Sequence, residues 1–564
     1  MKTSPFLARN IGISLTLLFI VIYLLPLNAR QLGVPDEMRY AEIAREMLTT
    51  GDFVVPRLNG LRYFEKPAGG HVLNAAAMAV FGETNFAVRL MSALATGLGA
   101  WALFLLVRRE RDRRAAALTA LIFLTCTEVM GIGTYSVLDS MVTGFITLTL
   151  CSLYAALQAI GKKKIGLLAL AGGFAGGAFL VKGFIALAVP TVVVVPYLLI
   201  RRQWKQLFIL PWIPLIAALA VSLPWCLAVA GKEADFWHYF FWEEHIRRFF
   251  SQEHAQHENP FWYFIPVFLG GAVPWILIAP LPLRNLIRTR LKEPLIQFGL
   301  CWLIAPFLFF SASSGKLGTY ILPCFAPFAL LLAVALSDRI EKQPSDDAIT
   351  IGTFIFSLLP LLGLIALLVI GGLNFFGLLP PLDPHFALKF IGMLVGLSLS
   401  LHLAITAVKR KQELHKVAFL GLSAAALFIS IQLCAPTEIS PSLGIQGFLK
   451  SEQAQITPST ILVANPKTVH ALCYVYKRDD IYLFGGKGEL TYGVSYPDSA
   501  HRYLDIQQLN ALLHQRGNRR VVIAMKSRPD DSLRTQLPKP QYQRQWLKIW
   551  FAVYEPLTPH YAEE

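Results

Sequence analysis

The chain has 564 residues, of which 55% are hydrophobic and only 15% are charged. A soluble protein would carry about a quarter charged residues, so this composition excludes an ordinary soluble enzyme and indicates a membrane protein. The net charge of +15 comes from short basic clusters between apolar blocks. No single basic patch is present, so we expect no nucleic acid partner.

Thirteen apolar blocks approach the ~20 residues that are needed to cross a bilayer. The first block follows Lys2 and Arg9 without a convincing cleavage site, so we interpret it as a retained helix and not as a signal peptide. The predicted spans are 10–27, 86–107, 115–132, 138–160, 165–182, 184–200, 207–229, 262–283, 295–312, 319–337, 350–371, 386–407 and 417–435.

The charges between these spans predict an orientation. With the N-terminus in the cytoplasm, every short and strongly basic loop falls on the cytoplasmic side, as the positive-inside rule requires. The long connections 28–85, 230–261 and 436–564 then face the other side. Long ordered loops are not needed merely to join helices, so we expect the functional residues there.

The pattern changes after the last span, which predicts a transmembrane domain over residues 1–435 and a soluble domain over 436–564. The second region alternates strand-like runs with a helix-like stretch at Ile506 to His514, as in a small α/β domain. The strand-like runs are Thr460 to Ala464, His470 to Tyr476 and Arg520 to Ala524.

The first long loop begins with a predicted helix, in which apolar side chains recur at helical spacing up to Leu48. Arg39, Glu42, Arg45 and Glu46 lie mostly off that stripe, which is typical of an amphipathic helix in the membrane interface. We interpret its acidic residues as solvated side chains or as partners of the nearby arginines. A second short helix is predicted from Gly70 to Phe81 of the same loop.

Two aspartates stand at predicted helix entrances on the non-cytoplasmic side, Asp36 in the first loop and Asp139 at the fourth span. Each is either a helix-capping residue or a functional carboxylate, and taken alone capping is the more frequent role for Asp36. The run from Arg62 to Pro67 places Glu65 beside Lys66 and two aromatic residues. This run is either an ordinary interfacial loop or a site for a metal or a lipid phosphate.

These stretches together resemble the GT-C membrane glycosyltransferases, and most closely the bacterial lipid A aminoarabinose transferase family. The stretches that carry the resemblance are Asp36-Glu37, Arg62 to Pro67, Leu138-Asp139, Ala234 to Trp242, Glu244 to Ile246, Pro260 to Tyr263, Gly315 to Leu317, Lys477 to Ile481 and Gly488 to Gly493. The resemblance covers essentially the whole chain. One departure is Gly318, where the pattern has Pro, and it puts the local turn in question.

The resemblance implies a GT-C fold and a transfer of 4-amino-4-deoxy-L-arabinose from undecaprenyl phosphate to a phosphate of lipid A. The reaction would take place in the bacterial inner membrane, at its periplasmic face, and would give resistance to polymyxin and other cationic antimicrobial peptides. The family also implies a monomer among membrane lipids, with no nucleotide cofactor and with a divalent metal ion such as zinc.

The resemblance also implies roles for single residues. Asp36 and Asp139 match essential carboxylates, which we expect to position the sugar, pair with its amine and stabilise oxocarbenium-like charge. Glu65 with a loop histidine matches a metal site, with His245 preferred over His257. The positions that match the carrier-phosphate site are Tyr63, Lys66, Lys182, Arg248 and Tyr320.

Two other functions compete with this one. The first is another GT-C transferase that uses a different polyprenyl-phosphate sugar or a protein acceptor. The second is a transporter for a lipid-linked sugar, which the absence of paired halves in the spans disfavours. The favoured function depends on one expectation, that acidic and basic side chains from separate periplasmic segments converge at the lipid headgroup level.

Overall fold

A computed structural model of the protein describes residues 5–247, 258–342, 346–378, 384–436, 440, 442–528 and 531–557. Helices dominate, because an apolar segment in lipid must satisfy its backbone hydrogen bonds internally. Up to residue 290 the α-helices are α1 (Pro5–Phe19), α2 (Asp36–Thr50), α3 (Gly69–Phe81), α4 (Asn85–Glu110), α5 (Arg113–Thr125), α6 (Thr127–Gly133), α7 (Leu138–Leu157), α8 (Gly161–Lys182), α9 (Ile185–Ile200), α10 (Trp204–Ile209), α11 (Trp212–Lys232), α12 (Phe264–Gly271) and α13 (Pro280–Arg290).

Five more long helices and five short ones follow in the described residues. They are α14 (Pro294–Ala312), α15 (Phe325–Lys342), α16 (Ala348–Phe375), α17 (Pro384–Lys409), α18 (Glu413–Cys434), α19 (Ile445–Ser451), α20 (Val469–Tyr476), α21 (Thr491–Ser495), α22 (Ile506–His514) and α23 (Ser532–Thr535). The π-helical segments are Ile20–Leu24 and His238–Arg247, and the 3-10 segments are Leu25–Asn28, Trp275–Leu277, Gly318–Cys324, Gln453–Gln455, Gly488–Leu490 and Ala500–Arg502. The strands are β1 (Arg57–Leu58), β2 (Leu61–Arg62), β3 (Ile461–Ala464), β4 (Tyr482–Phe484), β5 (Tyr503–Leu504), β6 (Val521–Lys526), β7 (Tyr542–Trp546) and β8 (Ile549–Tyr554).

The described residues contain ten helices that are long and apolar enough to cross a membrane, or eleven if the bent pair α5 and α6 is one span. The chain is therefore a multi-pass membrane protein, but the predicted count of thirteen is not confirmed. One predicted span, 184–200, is the 16-residue helix α9. Another, 262–283, is divided into α12, a 3-10 segment and α13, with Pro274 and Pro280 at the breaks, where proline supplies no N–H group.

The chain divides into two compact units. The membrane unit comprises residues 1–29 and 89–436, and the C-terminal unit comprises 30–88 and 437–564. Residues 30–88, most of the first long loop, thus group with the C-terminal sequence and not with the membrane helices. That loop instead folds with the C-terminal sequence, because its helix α2 packs on α20.

Close approach of small residues shapes the membrane unit. Helix α8 packs against α7 and α11, and a Cβ atom on Gly172 would clash with the Pro214 carbonyl oxygen. A Cβ on Gly176 would lie 2.7 Å from the Ala218 carbonyl oxygen. Glycine at this spacing lets helix backbones approach closely where lipid supplies no hydrophobic driving force.

The C-terminal unit is built on a six-stranded sheet of order β5-β4-β3-β6-β8-β7. The four strands from β5 to β6 are parallel, whereas β8 pairs antiparallel with β6 and β7. This confirms the predicted small α/β domain. Helix α22 occupies the predicted residues Ile506–His514 and begins with a capping box between Asp505 and Gln508. The predicted strand at His470 to Tyr476 is wrong, because these residues form helix α20.

The two helices predicted in the first long loop are confirmed as α2 and α3. The expectation of a solvated charged face on α2 is wrong. Every residue from Glu37 to Met47 is buried, since α2 packs against both α3 and α20. Burial of charged groups is tolerated only when each finds a partner, and these partners define part of the candidate site.

Candidate functional site

In the membrane unit, three of the predicted site residues come together. The Lys182 ammonium donates a hydrogen bond to the Asp139 carboxylate at 2.5 Å, and its nitrogen lies 4.8 Å from the centre of the Tyr320 ring. We call Asp139, Lys182 and Tyr320 the Asp139 cluster. Both charged side chains keep some access to solvent, with 13% of Asp139 and 16% of Lys182 exposed.

Local structure explains why these three side chains meet. Asp139 is the second residue of α7, where a carboxylate complements the positive end of the helix dipole. Lys182 is the last residue of α8, and Gly183 follows it with a positive φ of 80°. Such a conformation favours glycine and ends the helix at the lysine. Tyr320 lies in the 3-10 segment Gly318–Cys324, which packs on α7.

The C-terminal unit holds a second group of charges around Arg39. The Arg39 guanidinium forms an ion pair with Asp36 at 2.6 Å and a second ion pair with Glu489. Its planar group also lies 4.7 Å from the Tyr40 ring centre. We call Asp36, Arg39 and Glu489 the Arg39 cluster. Asp36 does not act as the N-cap, because α2 begins at Asp36 and Pro35 holds the N-cap position.

Burial and charge act in opposite directions on Glu489. Burial alone would raise the pKa of this carboxyl, but Arg39, His470 and Lys66 outweigh it and lower the pKa well below its ordinary value. Glu489 is therefore ionised at neutral pH. The His470 ring nitrogen Nε2 lies 4.0 Å from Glu489, and burial lowers the pKa of His470 to about 4.

The predicted phosphate-binding residues of the first loop lie near this group. The Tyr63 hydroxyl donates to the Glu65 carboxylate at 3.2 Å, and burial raises the pKa of Tyr63 well above its ordinary value. The Lys66 ammonium donates to the Glu65 backbone carbonyl at 2.7 Å. Tyr63 is almost fully buried, and it lies edge-on to His71 at 6.3 Å.

His71 and Asn74 are one helical turn apart on α3 and fully enclosed. Both ring nitrogens of His71 and both amide atoms of Asn74 lack a hydrogen bond within the described part of the chain. Burial, then the positive charges of Arg39 and Lys66, lower the pKa of His71 to about 3. His71 is therefore a neutral imidazole at any ordinary pH.

Other buried charges on α2 form an ion pair within the helix and a hydrogen bond to the turn at Gly60 in the same loop. Arg45 pairs with Glu42 at 2.7 Å, which confirms one of the partner interpretations made from the sequence. The Glu46 carboxylate accepts a hydrogen bond from the Gly60 backbone N–H at 3.1 Å. Gly60 has a φ of 71°, and a Cβ there would lie 2.8 Å from the Asp479 carbonyl oxygen, so this turn requires glycine.

Three predicted site residues are not described by the structure. Arg248 and His257 lie outside the described residues, and His245 lies in a described helix without a described side chain. Among the described residues, no three His, Cys, Asp or Glu side chains are grouped as metal ligands would be. Glu65 contacts Tyr63 and Lys66 there, so the described residues alone do not make up a metal site.

The structure thus brings together Asp139, Lys182 and Tyr320 in one unit, and Asp36, Tyr63, Glu65 and Lys66 in the other. The sequence reasoning missed the Arg39–Glu489 ion pair and the two buried histidines, His71 and His470. A signal for the ion pair was available, because Glu489 lies in one of the stretches that carry the family resemblance. The histidines offered no such signal, since a lone histidine in a helix is most often a packed residue.

Comparisons with known proteins agree with this architecture. A family model described as dolichyl-phosphate-mannose-protein mannosyltransferase matches residues 11–240. A second one, the C-terminal domain of the arabinosyl transferase ArnT, matches residues 445–553. The structure of ArnT from Cupriavidus metallidurans bound to undecaprenyl phosphate superposes with a TM-score of 0.77, at 25% identity, over 96% of this chain and 97% of that chain. The fold is therefore that of a multi-pass membrane glycosyltransferase.

The curated relatives narrow this class. A protein of Shewanella sediminis is 40% identical over 501 residues, which is 88% of this chain and 90% of the relative. One of Aeromonas hydrophila is 40% identical over 522 residues, covering 92% and 94%. Both are named undecaprenyl phosphate-alpha-4-amino-4-deoxy-L-arabinose arabinosyl transferase. The chain belongs to this arabinosyl transferase family, as the resemblance of its motifs predicts.

Proposed function

We propose that the protein transfers 4-amino-4-deoxy-L-arabinose from undecaprenyl phosphate to a phosphate of lipid A, at the periplasmic face of the inner membrane. The names of the relatives supply the donor. The lipid A acceptor and the orientation follow from the motif resemblance and the charge asymmetry of the loops. The observation that carries the proposal is the Asp139–Lys182 pair beside Tyr320.

The reaction breaks the bond between the anomeric carbon of the sugar and a carrier phosphate oxygen, and the bonding electrons stay on that phosphate. An oxygen of the acceptor phosphate then forms the new bond to the same carbon. A phosphate monoester has a second pKa near 6, so the acceptor is already anionic at neutral pH. A strong general base is therefore not required, and the main task is to stabilise charge on the leaving group.

The Asp139 cluster suits this task. Lys182 supplies a positive charge to the carrier phosphate as negative charge develops on it, and the Tyr320 ring holds the ammonium by a cation–π contact. Asp139 keeps Lys182 in place and stabilises the positive, oxocarbenium-like charge on the sugar. The partial exposure of both side chains leaves them accessible to a ligand.

The remaining residues keep the roles that the motif resemblance gives them. Asp36 is a candidate for the second essential carboxylate, and its position depends on Arg39. Tyr63, Lys66 and Arg248 are candidates for carrier-phosphate binding. A divalent ion held by Glu65 with His245 or His257 is part of this proposal, and metal analysis of the purified protein tests it directly.

Lipid A mass analysis in a strain that lacks this chain and then regains it tests the proposed function. We expect the mass of one aminoarabinose to be lost and restored, together with survival in polymyxin. An added sugar of another mass would favour a different GT-C transferase. Loss of the sugar from lipid A together with donor lipid accumulating on the cytoplasmic side of the membrane, in the strain that lacks the chain, would favour a transporter.

Variants expressed in the strain that lacks the chain test the roles of the two aspartates. Asp36→Asn and Asp139→Asn keep the side-chain size and remove the charge, so we expect each to abolish transfer while the protein still accumulates in the membrane. The control is Asp505→Asn, because Asn also caps helices well and Asp505 lies at the start of α22, among none of the site residues. Wild-type polymyxin survival in either of the first two variants would refute its assignment.

A further inference from the structure

Glu128 is a carboxylate inside an apolar stretch of the membrane unit. It lies in the first turn of α6, just past the bend of 64° that separates α6 from α5. Acidic residues within such stretches are costly, and they usually face a polar cavity or a functional site with a defined partner. A partner is therefore expected for the Glu128 carboxylate.

The surroundings of Glu128 place it beside the Asp139 cluster. Helix α6 packs on α7, which carries Asp139, and on the 3-10 segment Gly318–Cys324, which carries Tyr320. A Cβ atom on Gly318 would lie 4.0 Å from the Glu128 oxygen Oε1 and 3.9 Å from the Tyr263 hydroxyl oxygen. The Glu128 carboxylate therefore points toward the start of the segment that holds Tyr320.

Charge pairing distinguishes the two carboxylates of this region. Asp139 is compensated by Lys182 at 2.5 Å. Glu128 makes no hydrogen bond or ion pair with any residue that the structure describes, and the charge that acts on it is the like charge of Asp139. A phosphate would be repelled here. A cation would complete the arrangement, because a partly buried carboxylate gains from a charge-assisted hydrogen bond.

We propose that Glu128 binds the protonated 4-amino group of the donor sugar and so determines specificity for an amino sugar. This inference rests on the proposed function. It assigns the amine to Glu128 and leaves Asp139 with Lys182 for the reacting bond. The Tyr263 hydroxyl is placed to accept or donate a second hydrogen bond at the same end of the sugar.

Gly318 contributes the space for this contact. A Cβ there would make only ordinary contacts, the nearest being 3.5 Å from Val267. A larger side chain would extend toward the oxygens of Glu128 and Tyr263. Glycine at 318, where the family pattern has proline, leaves this space empty in this chain.

The test compares two donor lipids with the purified full-length protein in lipid. One donor carries 4-amino-4-deoxy-L-arabinose, and the other carries L-arabinose, in which a neutral hydroxyl of the same size replaces the ammonium. We expect Glu128→Gln to lower kcat/KM for the amino donor by about 10- to 100-fold, mostly through KM. The L-arabinose donor should be transferred unchanged, and Glu128→Asp should recover part of the preference.

The control is Glu341→Gln, an exposed carboxylate at the end of α15, which should leave both donors unaffected. An equal loss on both donors in Glu128→Gln, or no change in their ratio in Glu128→Gln and Glu128→Asp alike, overturns the inference. The comparison of the two donors has a meaning only if the unaltered protein transfers the amino sugar. If it transfers neither sugar, the proposed function itself fails, so the two failures are distinguishable.

Discussion

The Asp139 cluster and the Arg39 cluster use the same kinds of residue in opposite settings. In the first, one carboxylate and one ammonium form a single pair that stays partly exposed. In the second, only the guanidinium of Arg39 is buried, at 8% exposed, and it pairs with two carboxylates that are 41% and 25% exposed, Asp36 on α2 and Glu489 in the sheet domain. A single pair can exchange its partner for a ligand, whereas a buried arginine shared by two carboxylates holds its geometry, because leaving a buried charge without its partners is costly.

This difference suggests that the Asp139 cluster takes part in the reaction and that the Arg39 cluster positions a residue for it. The Asp139 cluster has charges that a phosphate and a sugar can reach, which is what transfer chemistry requires. The Arg39 cluster fixes the position of Asp36 through Arg39 and Glu489. The C-terminal sheet domain then contributes a positioning residue, Glu489, without supplying a group that itself reacts.

The largest expected effect is on the transfer rate, when Lys182 of the Asp139 cluster is replaced. Lys182→Met should lower the rate of transfer by about 100-fold or more, because one preorganised charge at the leaving group is removed. Lys182→Arg should retain more activity, since the positive charge remains. Initial rates of the purified variants measure both effects. Equal activity of the Met and Arg variants would show that the charge of Lys182 is not used.

A smaller effect, on stability, is expected when the Arg39 cluster loses one of its carboxylates. Glu489→Gln leaves Arg39 with one charged partner, so the free energy of unfolding should fall by about 2–3 kcal/mol. Thermal unfolding in detergent measures the loss. The matched control is Glu555→Gln, which removes an exposed ion pair with Arg520 and should change stability by less than about 1 kcal/mol. Similar losses in both variants would contradict the contrast between buried and exposed pairs.

The same contrast predicts a pH dependence of the C-terminal unit. The pKa of His71 is lowered to about 3 and that of His470 to about 4, whereas unfolded histidine titrates near 6.5. The unfolded chain therefore binds protons first, and stability is lost as the pH falls below about 6.5 by roughly 1.4 kcal/mol per pH unit for each histidine.

His71→Phe should remove one of these two contributions. Thermal unfolding from about pH 7.5 down to about pH 5 gives the slope, and the variant should show a shallower decline than the unaltered protein. His514→Phe is the control, because His514 lies on the exposed face of α22. A slope that is unchanged in His71→Phe would mean that His71 is already charged or accessible in the folded protein.

The smallest effect is expected at a site that belongs to neither cluster. Asp505→Ala removes the capping box of α22 and should cost about 1 kcal/mol of stability, with transfer unaffected. Circular dichroism during thermal unfolding and the transfer rate test the two parts. A loss of transfer comparable to that of Lys182→Met would contradict the assignment of the chemistry to the Asp139 cluster.

The sequence predicted those parts of the fold that depend on local pattern. The apolar blocks, α2, α3 and α22 follow from hydrophobic period and from capping residues such as Asp505. The segment His470 to Tyr476 was predicted wrongly, because a short run of apolar and aromatic residues fits a strand as well as a buried helix. The predicted count of thirteen spans is not confirmed, and one reason within the described residues is that prolines stand at the breaks of the apolar block 262–283.

The candidate site could likewise be predicted only in part from the sequence. Asp139 and Lys182 could be named from motifs, but their pairing depends on how α7 and α8 pack and is not visible in either motif. Arg39 and Glu489 are 450 positions apart in the sequence, so no local pattern joins them. Glu128 lies within the predicted span 115–132 and attracts attention only when the neighbouring segment at Gly318 is seen.

In the proposed function, Asp139, held by Lys182, supports transfer of a lipid-linked amino sugar. The most direct measurement is the mass of lipid A after incubation with the aminoarabinose donor lipid and either the unaltered protein or Asp139→Asn. We expect the added mass of one aminoarabinose with the first and none with the second. Equal addition by both proteins, or no addition by the unaltered protein, would contradict it.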